Sequence, residues 1–295
     1  MTGPASTVYG VDFGSAADTA GEKTWIATAT VEDDTPVVES CERLVEKLDC
    51  DSDRDSAHEA LVTFVQTELD ASSAIGLDFP FGLPGVVLDE QRWDGYVEDF
   101  PSKLTVPDWD DDDLPNEISS ADDLSAWGSQ RARDEAADCV HCKRLTDEEH
   151  GAQPPYGIIG KSITYHGLGN VIAPLAAEDD VTVAPMQVEE FGDPDGPLVL
   201  EAYPAGTLDR LGLCREGYKD GTNADRRRER NLDGLVQFGD VRIDDDVRDS
   251  AVENPGGDAL DAVVAAVATH RATRSADALE PDEKQYDPVE GYIYV

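Results

Sequence analysis

Val8-Tyr9-Gly10-Val11-Asp12-Phe13-Gly14 reads as a buried strand that ends on an acid. A carboxylate in apolar surroundings is costly unless something pairs with it. Three further stretches repeat the pattern: Ala74-Ile75-Gly76-Leu77-Asp78-Phe79-Pro80, Leu198-Val199-Leu200-Glu201-Ala202-Tyr203-Pro204 and Asp258-Ala259-Leu260-Asp261-Ala262-Val263-Val264. The chain has 64 Asp and Glu, so an acid by itself carries no signal. Several acids at the ends of apolar strands do, because hard divalent cations take oxygen ligands.

Outward from the first strand, a turn rich in Gly and Ala leads to a second strand, Trp25 to Val31. A third, about Pro36 to Arg43, can pair with it. A helix is expected from near Ser56, where Ser56-Ala57-His58-Glu59 has the spacing of a capping box. Leu61, Phe64, Val65 and Leu69 give that helix one apolar face. The short run Ala74 to Phe79 reads as a central buried strand. From about residue 85 to 195 the pattern breaks down. There Trp109-Asp110-Asp111-Asp112-Asp113 reads as solvated loop, and Gly157 to Leu175 as ordered and packed. This stretch is expected to be an insertion, after the fourth strand, into a single domain covering residues 1–295. Regularity returns with a strand at Leu198 to Tyr203 and a polar helix around Asp225 to Val236. A last helix starts at about Asp258, with Leu260, Val263, Val264 and Val267 as its core stripe.

The 295 residues carry a formal net charge of −41, from 23 Lys and Arg against 64 Asp and Glu. Hydrophobic residues make up 40%, enough for a core. So acidic a surface repels itself at low salt, whereas at about 1 M salt the Debye length is roughly 3 Å. The acid is spread along the chain rather than gathered in one tail. The expectation is therefore a cytoplasmic protein of an extreme halophile, not a partner of one basic protein. Net acidity ordinarily argues against nucleic acid as a ligand, but less so where a whole proteome is acidic. No apolar run approaches the length of a membrane span, and Met1 to Thr7 lacks the features of a signal peptide.

Five cysteines, without a secretory signal, fit reduced thiols. Cys139-Val140-His141-Cys142 offers two thiolates and a histidine to a structural zinc ion, with His150 as a fourth ligand. No second cysteine pair matches it, so ordinary reduced thiols are the expected state. Gly157-Ile158-Ile159-Gly160-Lys161-Ser162 fails the spacing of a phosphate-binding P-loop. There is no G-x-S-x-G nucleophile elbow either.

Three antiparallel strands, a helix, a strand, a long connection, another strand and a terminal helix follow the order of an RNase H-like α/β fold. That fold has a mixed five-stranded sheet flanked by helices. The chain also resembles the domain-of-unknown-function 429 family, whose members are predicted RNase H-like nucleases. The resemblance rests on Gly10-Val11-Asp12 with Lys23-Thr24-Trp25, Gly76-Leu77-Asp78-Phe79-Pro80-Phe81-Gly82-Leu83-Pro84 and Arg144-Leu145-Thr146-Asp147. It continues through Glu201-Ala202-Tyr203-Pro204, Asp258 to Ala268 and Glu290-Gly291-Tyr292-Ile293. The helix motif Asp258-Ala259-Leu260-Asp261-Ala262 is similar to that of RuvC-type Holliday junction resolvases, where both acids bind metal.

These readings imply a metal-dependent nuclease for DNA or RNA that uses Mg²⁺ or Mn²⁺. Asp12, Asp78 and Asp261 would be the catalytic ligands, with Asp258 as a fourth metal ligand or a helix-start charge and Glu201 as a further ligand or a structural acid. Asp258 and Asp261 are three apart and face the same way on a helix. Arg144, which forms a polar cluster with Asp147, is a candidate either to grip a phosphate in a fork or to form a surface ion pair. Arg226-Arg227-Arg228-Glu229-Arg230 is the one basic cluster. Arg227 and Arg228 are expected either to contact phosphates or to pair with nearby acids. Two rival functions remain. One is an actin-like ATP-binding phosphotransferase, since Val11-Asp12-Phe13-Gly14-Ser15 resembles a first phosphate loop, although no second Asp-x-Gly motif follows. The other is a non-catalytic binding protein, in which the acids would not converge.

Overall fold

The computed structural model describes residues 5–89, 92–109, 111, 114–135, 137–188 and 196–295. Its centre is a mixed sheet of eight strands in the order β5-β6-β4-β1-β2-β3-β7, with β8 pairing to β6. The strands are β1 Thr7–Asp12, β2 Trp25–Glu32, β3 Thr35–Arg43, β4 Ser73–Leu77, β5 Thr182–Ala184, β6 Leu198–Ala202, β7 Arg242–Ile243 and β8 Ile293–Tyr294. β1, β2 and β3 run antiparallel in succession, whereas β4 lies parallel to β1 and β6 parallel to β4. The five strands expected from sequence are all present. β5, β7 and β8 enlarge the sheet beyond five; they are two or three residues long, too short to show a period.

Strand side chains alternate between the two faces of the sheet. On β1, Val8 joins one buried cluster together with Leu200, Leu260 and Val263, while Val11 joins another with Leu61, Ile75 and Leu77. The first face is covered by the Asp258–Thr273 helix, which contacts β1, β2 and β4. That helix is buried on nearly every side, so small alanines such as Ala262, Ala265 and Ala266 let the strands come close. Gly10 and Gly76 are register partners on β1 and β4. A Cβ at Gly10 would run into the helix backbone at Ala262 and Ala266, and one at Gly76 into Thr269. The two glycines thus set how closely the helix lies on the sheet.

The second face is covered by the Arg54–Glu68 helix and by much of the stretch expected as an insertion. Trp93, Tyr96, Leu124, Trp127, Tyr156 and Leu168 share one buried cluster with Val11 and Leu77. That stretch includes the helices Ala121–Asp134, Leu145–His150 and Lys161–Gly167, and it contributes β5 to the sheet. Its aromatic residues, spaced without a regular period, are core. Of the acidic run, Asp110, Asp112 and Asp113 lie outside the described residues.

The Arg54–Glu68 helix begins earlier than the Ser56 capping box predicts. Its cap is Asp53, whose side chain accepts from the Ser56 amide at 3.1 Å. Cys139 and Cys142 are joined in a disulfide. This corrects both the zinc expectation and that of reduced thiols for this pair, because the sulfurs are spent on each other. Cys41, Cys50 and Cys214 are free. Among the described residues no helix is long and apolar enough to cross a membrane.

A candidate metal centre of three carboxylates

Asp12 is the last residue of β1, and Asp78 directly follows β4. The parallel register pairs Val11 with Leu77, and the Asp78 amide donates to the Val11 carbonyl at 2.9 Å. The two acids therefore leave neighbouring strand ends side by side, on the face covered by the Asp258–Thr273 helix. Asp261 lies in the first turn of that helix and its amide donates to Gly257 O at 3.0 Å. Gly257 holds φ +78°, a backbone state that favours glycine, and so turns the chain into the helix. Asp12, Asp78 and Asp261 each offer a ligand oxygen, and these atoms all lie within 4.8 Å of one another. Such a set could hold a metal ion.

The backbone beyond Asp12 is held from several sides. The Gly14 amide donates to Thr24 Oγ1 at 3.0 Å, and Arg54 donates to Ser15 O at 3.2 Å. His58 Nε2 lies 3.0 Å from the Gly14 carbonyl, while its ring stacks on Phe13.

Two residues without any sequence signal complete the centre. Tyr218 donates its hydroxyl proton to Asp261 Oδ1 at 2.8 Å, and Lys219 Nζ lies 2.5 Å from Asp261 Oδ2. Lys219 is about half exposed, whereas Asp261 is buried. The loop carrying both is anchored by Arg228, which donates to Tyr218 O at 2.7 Å and to Val252 O at 2.9 Å. Arg228 is buried, which corrects its candidacy as a phosphate contact. Arg227 is exposed and donates to Glu216 O at 3.0 Å. Asp258 is half-buried and outside the group of three; its charge reaches Asp12 and Asp261 through space.

Glu201 does not join the acids, and strand parity explains why. It is the register partner of Leu77, so it faces the sheet side opposite to Asp78. Ala202 holds the position on the Asp78 side and packs against Ala265 and Ala268 of the helix. Both Glu201 oxygens are already engaged. Arg144 donates to Oε1 at 2.5 Å and to Oε2 at 2.7 Å, and the Phe81 amide donates to Oε2 at 2.8 Å.

Arg144 is fully buried and spends the rest of its guanidinium on Asp147, at 2.7 and 2.9 Å. It is no free phosphate grip. Glu290 accepts from the Gly85 and Leu145 amides, each at 2.7 Å, and Thr146 Oγ1 accepts from the Ile293 amide. The pieces around Phe81, Arg144, Glu201 and Glu290 thus form one buried polar knot that ties remote segments together.

Burial, with Asp261 and then Asp78 nearby, holds the Asp12 carboxyl well above the usual range, against the pull of Lys219. Burial and Asp261 push Asp78 up to about 8. Asp261 is raised by burial, opposed by Lys219 and Tyr218. A carboxyl whose pKa is higher folded than unfolded binds more protons in the native state, so stability falls as pH rises between the two values. For Asp78 that window runs from the unperturbed 3.8 to about 8. The melting temperature of the metal-free protein is therefore expected to lose ground from about pH 5 to 8, and Asp78→Asn to flatten that slope. Thermal melts in a chelator decide it: identical slopes for the two proteins contradict the account.

The fold and site define a class: an α/β sheet with a carboxylate centre at the C-terminal ends of parallel strands, where open sheets of this kind bind ligands. Comparison of the chain with protein-family models, with curated proteins and with solved structures finds no match.

Proposed function

We propose that the chain is a metal-dependent hydrolase of phosphodiester bonds, built on an RNase H-like arrangement of strands and helix. The observation that carries this reading is the convergence of Asp12, Asp78 and Asp261 within 4.8 Å. Three carboxylates so close raise one another's pKa, and among the described residues a single ammonium, Lys219, faces them. Further positive charge at that spot would stabilise the ionised set. The donors are all oxygen, which suits Mg²⁺ or Mn²⁺ rather than a thiolate-seeking ion. A non-catalytic role predicts scattered acids, so their convergence weighs against it.

When bound, divalent cations supply an activated water and neutralise charge on the phosphate. Asp12, Asp78 and Asp261 would hold them. Tyr218 keeps Asp261 in place by donating to Oδ1, leaving its second oxygen on the side of Lys219. Lys219, half exposed beside Asp261, would offer its ammonium to the incoming phosphate. Arg228 positions both residues through the Tyr218 carbonyl. The hydrogen bonds to the backbone at Gly14 and Ser15 hold the chain just beyond Asp12 in place.

The test is hydrolysis of bis(p-nitrophenyl) phosphate in about 1 M KCl, where surface charges are screened to within roughly 3 Å. Turnover is expected with Mn²⁺ or Mg²⁺ and none in a chelator. A rate unchanged by the chelator would sink the proposal.

A further inference from the structure

A cavity of about 390 Å³ opens beside the acidic triad and reaches it at Asp78. That volume lies within the range of small-ligand sites, roughly 300–1,000 Å³. Phe79, Pro80, Ile159, Ile163 and Tyr203 line it, so much of its wall is apolar or aromatic. Polar points are few: the hydroxyls of Ser15 and Ser162, 3.0 Å apart, and the Gln153 amide. Apart from Asp78, the charged residues of the lining are Arg144, Asp147 and Glu201, which are bound to one another. Among the described residues the lining therefore holds no unengaged cation to receive a phosphate. A flat, uncharged ring with a polar edge matches these walls.

Ile159 is 75% exposed and its neighbour Ile158 is 77% exposed. Of the two, Ile159 lines the cavity, so its wall includes an exposed apolar side chain. The charge balance bears on ligand size. A long nucleic acid needs a track of Lys and Arg for its phosphates, but this chain has 23 basic residues against 64 acidic. Its basic cluster is split, with Arg228 buried and Arg227 tied to a carbonyl. A ligand with one ring and one phosphodiester asks only for the cavity and the triad.

We propose that this cavity seats the base of a small nucleotide phosphodiester whose phosphate lies at the triad, making the substrate a nucleotide-sized diester rather than a nucleic-acid chain. The phosphate part of this inference rests on the metal-hydrolase reading; the ring-binding part does not. The probes are fluorescent etheno-adenosine and its monophosphate, titrated in about 1 M KCl with Mn²⁺ or chelator. The monophosphate is expected to bind in Mn²⁺, and the nucleoside to bind more weakly in chelator. Ser162→Phe, which fills the cavity, should weaken both by at least about tenfold. Ile159→Asp, at an exposed position where folding is not at stake, should act in the same direction. Both variants should leave the Mn²⁺ titration by calorimetry unchanged.

Equal affinity of wild type and both variants overturns the inference. So does a single-stranded adenine oligonucleotide that binds more than about tenfold tighter than the monophosphate, since that reveals an extended track. Mn²⁺ heat without nucleoside binding removes the cavity inference and leaves the metal reading standing. Nucleoside binding blocked by Ser162→Phe, without Mn²⁺ heat, supports the cavity and removes the metal reading.

Discussion

Asp12→Asn is expected to lower Mn²⁺-dependent hydrolysis of bis(p-nitrophenyl) phosphate by at least about 10³-fold, or roughly 4 kcal/mol of barrier. Asp12 ends β1 and offers a ligand oxygen within 4.8 Å of those of both partner acids, so its replacement takes one carboxylate ligand from the set. Asparagine has nearly the same shape, and the change replaces a buried carboxyl whose anion burial and the neighbouring acids disfavour. The variant should therefore fold and, without metal, melt at or above the wild-type temperature. This combination separates a functional acid from a structural one. A structural acid would cost stability when neutralised; a metal ligand costs turnover alone. Steady-state rates and chelator melts on the same preparations check both halves, and a variant as active as wild type refutes the assignment.

Arg144→Ala should have the largest effect on stability. Removing one partner of a buried ion pair costs about 3–5 kcal/mol, because the other charge is left uncompensated. Here two carboxylates, Asp147 and Glu201, would be left in a buried knot. At roughly 2–4 °C per kcal/mol the melting temperature should fall by about 10 °C. Lysine is no substitute, since it cannot present the planar fork that meets both acids. Arg227→Ala is the contrast: its guanidinium is exposed, and surface changes of that kind stay within about 0.5 kcal/mol. If the two variants melt alike, the knot is not holding the segments together.

The same residues show how far a sequence can be read. Asp12 and Asp78 are legible because an acid closing an apolar run breaks a strong local pattern, and Asp261 because an acid interrupts the start of an otherwise apolar helix. Glu201 closes an equally apolar run, yet it stands one residue out of phase, and parity sends it to the other side of the sheet. Register is a property of the pairing, which the strand alone does not display. For Arg144 a phosphate grip and a surface ion pair are equally open in the sequence, which displays charges without their partners; folded, it is buried and saturated by Asp147 and Glu201. Tyr218 and Lys219 lie in a polar loop between Gly217 and Gly221, with neither period nor motif around them. Only the Asp258–Thr273 helix, brought close by Gly10 and Gly76, puts Asp261 within their reach.

Secondary structure followed the same rule. β1 to β4, β6 and the Asp258–Thr273 helix are long or apolar enough to carry a period. Most of the stretch from about 85 to 195 buries its aromatic residues from short helices and turns, which carry no period; in the longer Ala121–Asp134 helix the buried Leu124, Trp127 and Arg131 stripe is diluted by small and polar residues.

The central claim is that the three acids form a divalent-cation site. Crystals grown with Mn²⁺ and examined by anomalous scattering test it most directly. One or two Mn²⁺ ions are expected at Asp12, Asp78 and Asp261, about 3.5–4 Å apart if there are two, with the Lys219 ammonium displaced from Asp261. An anomalous map with no peak at the triad, and Lys219 still paired to Asp261, would contradict it.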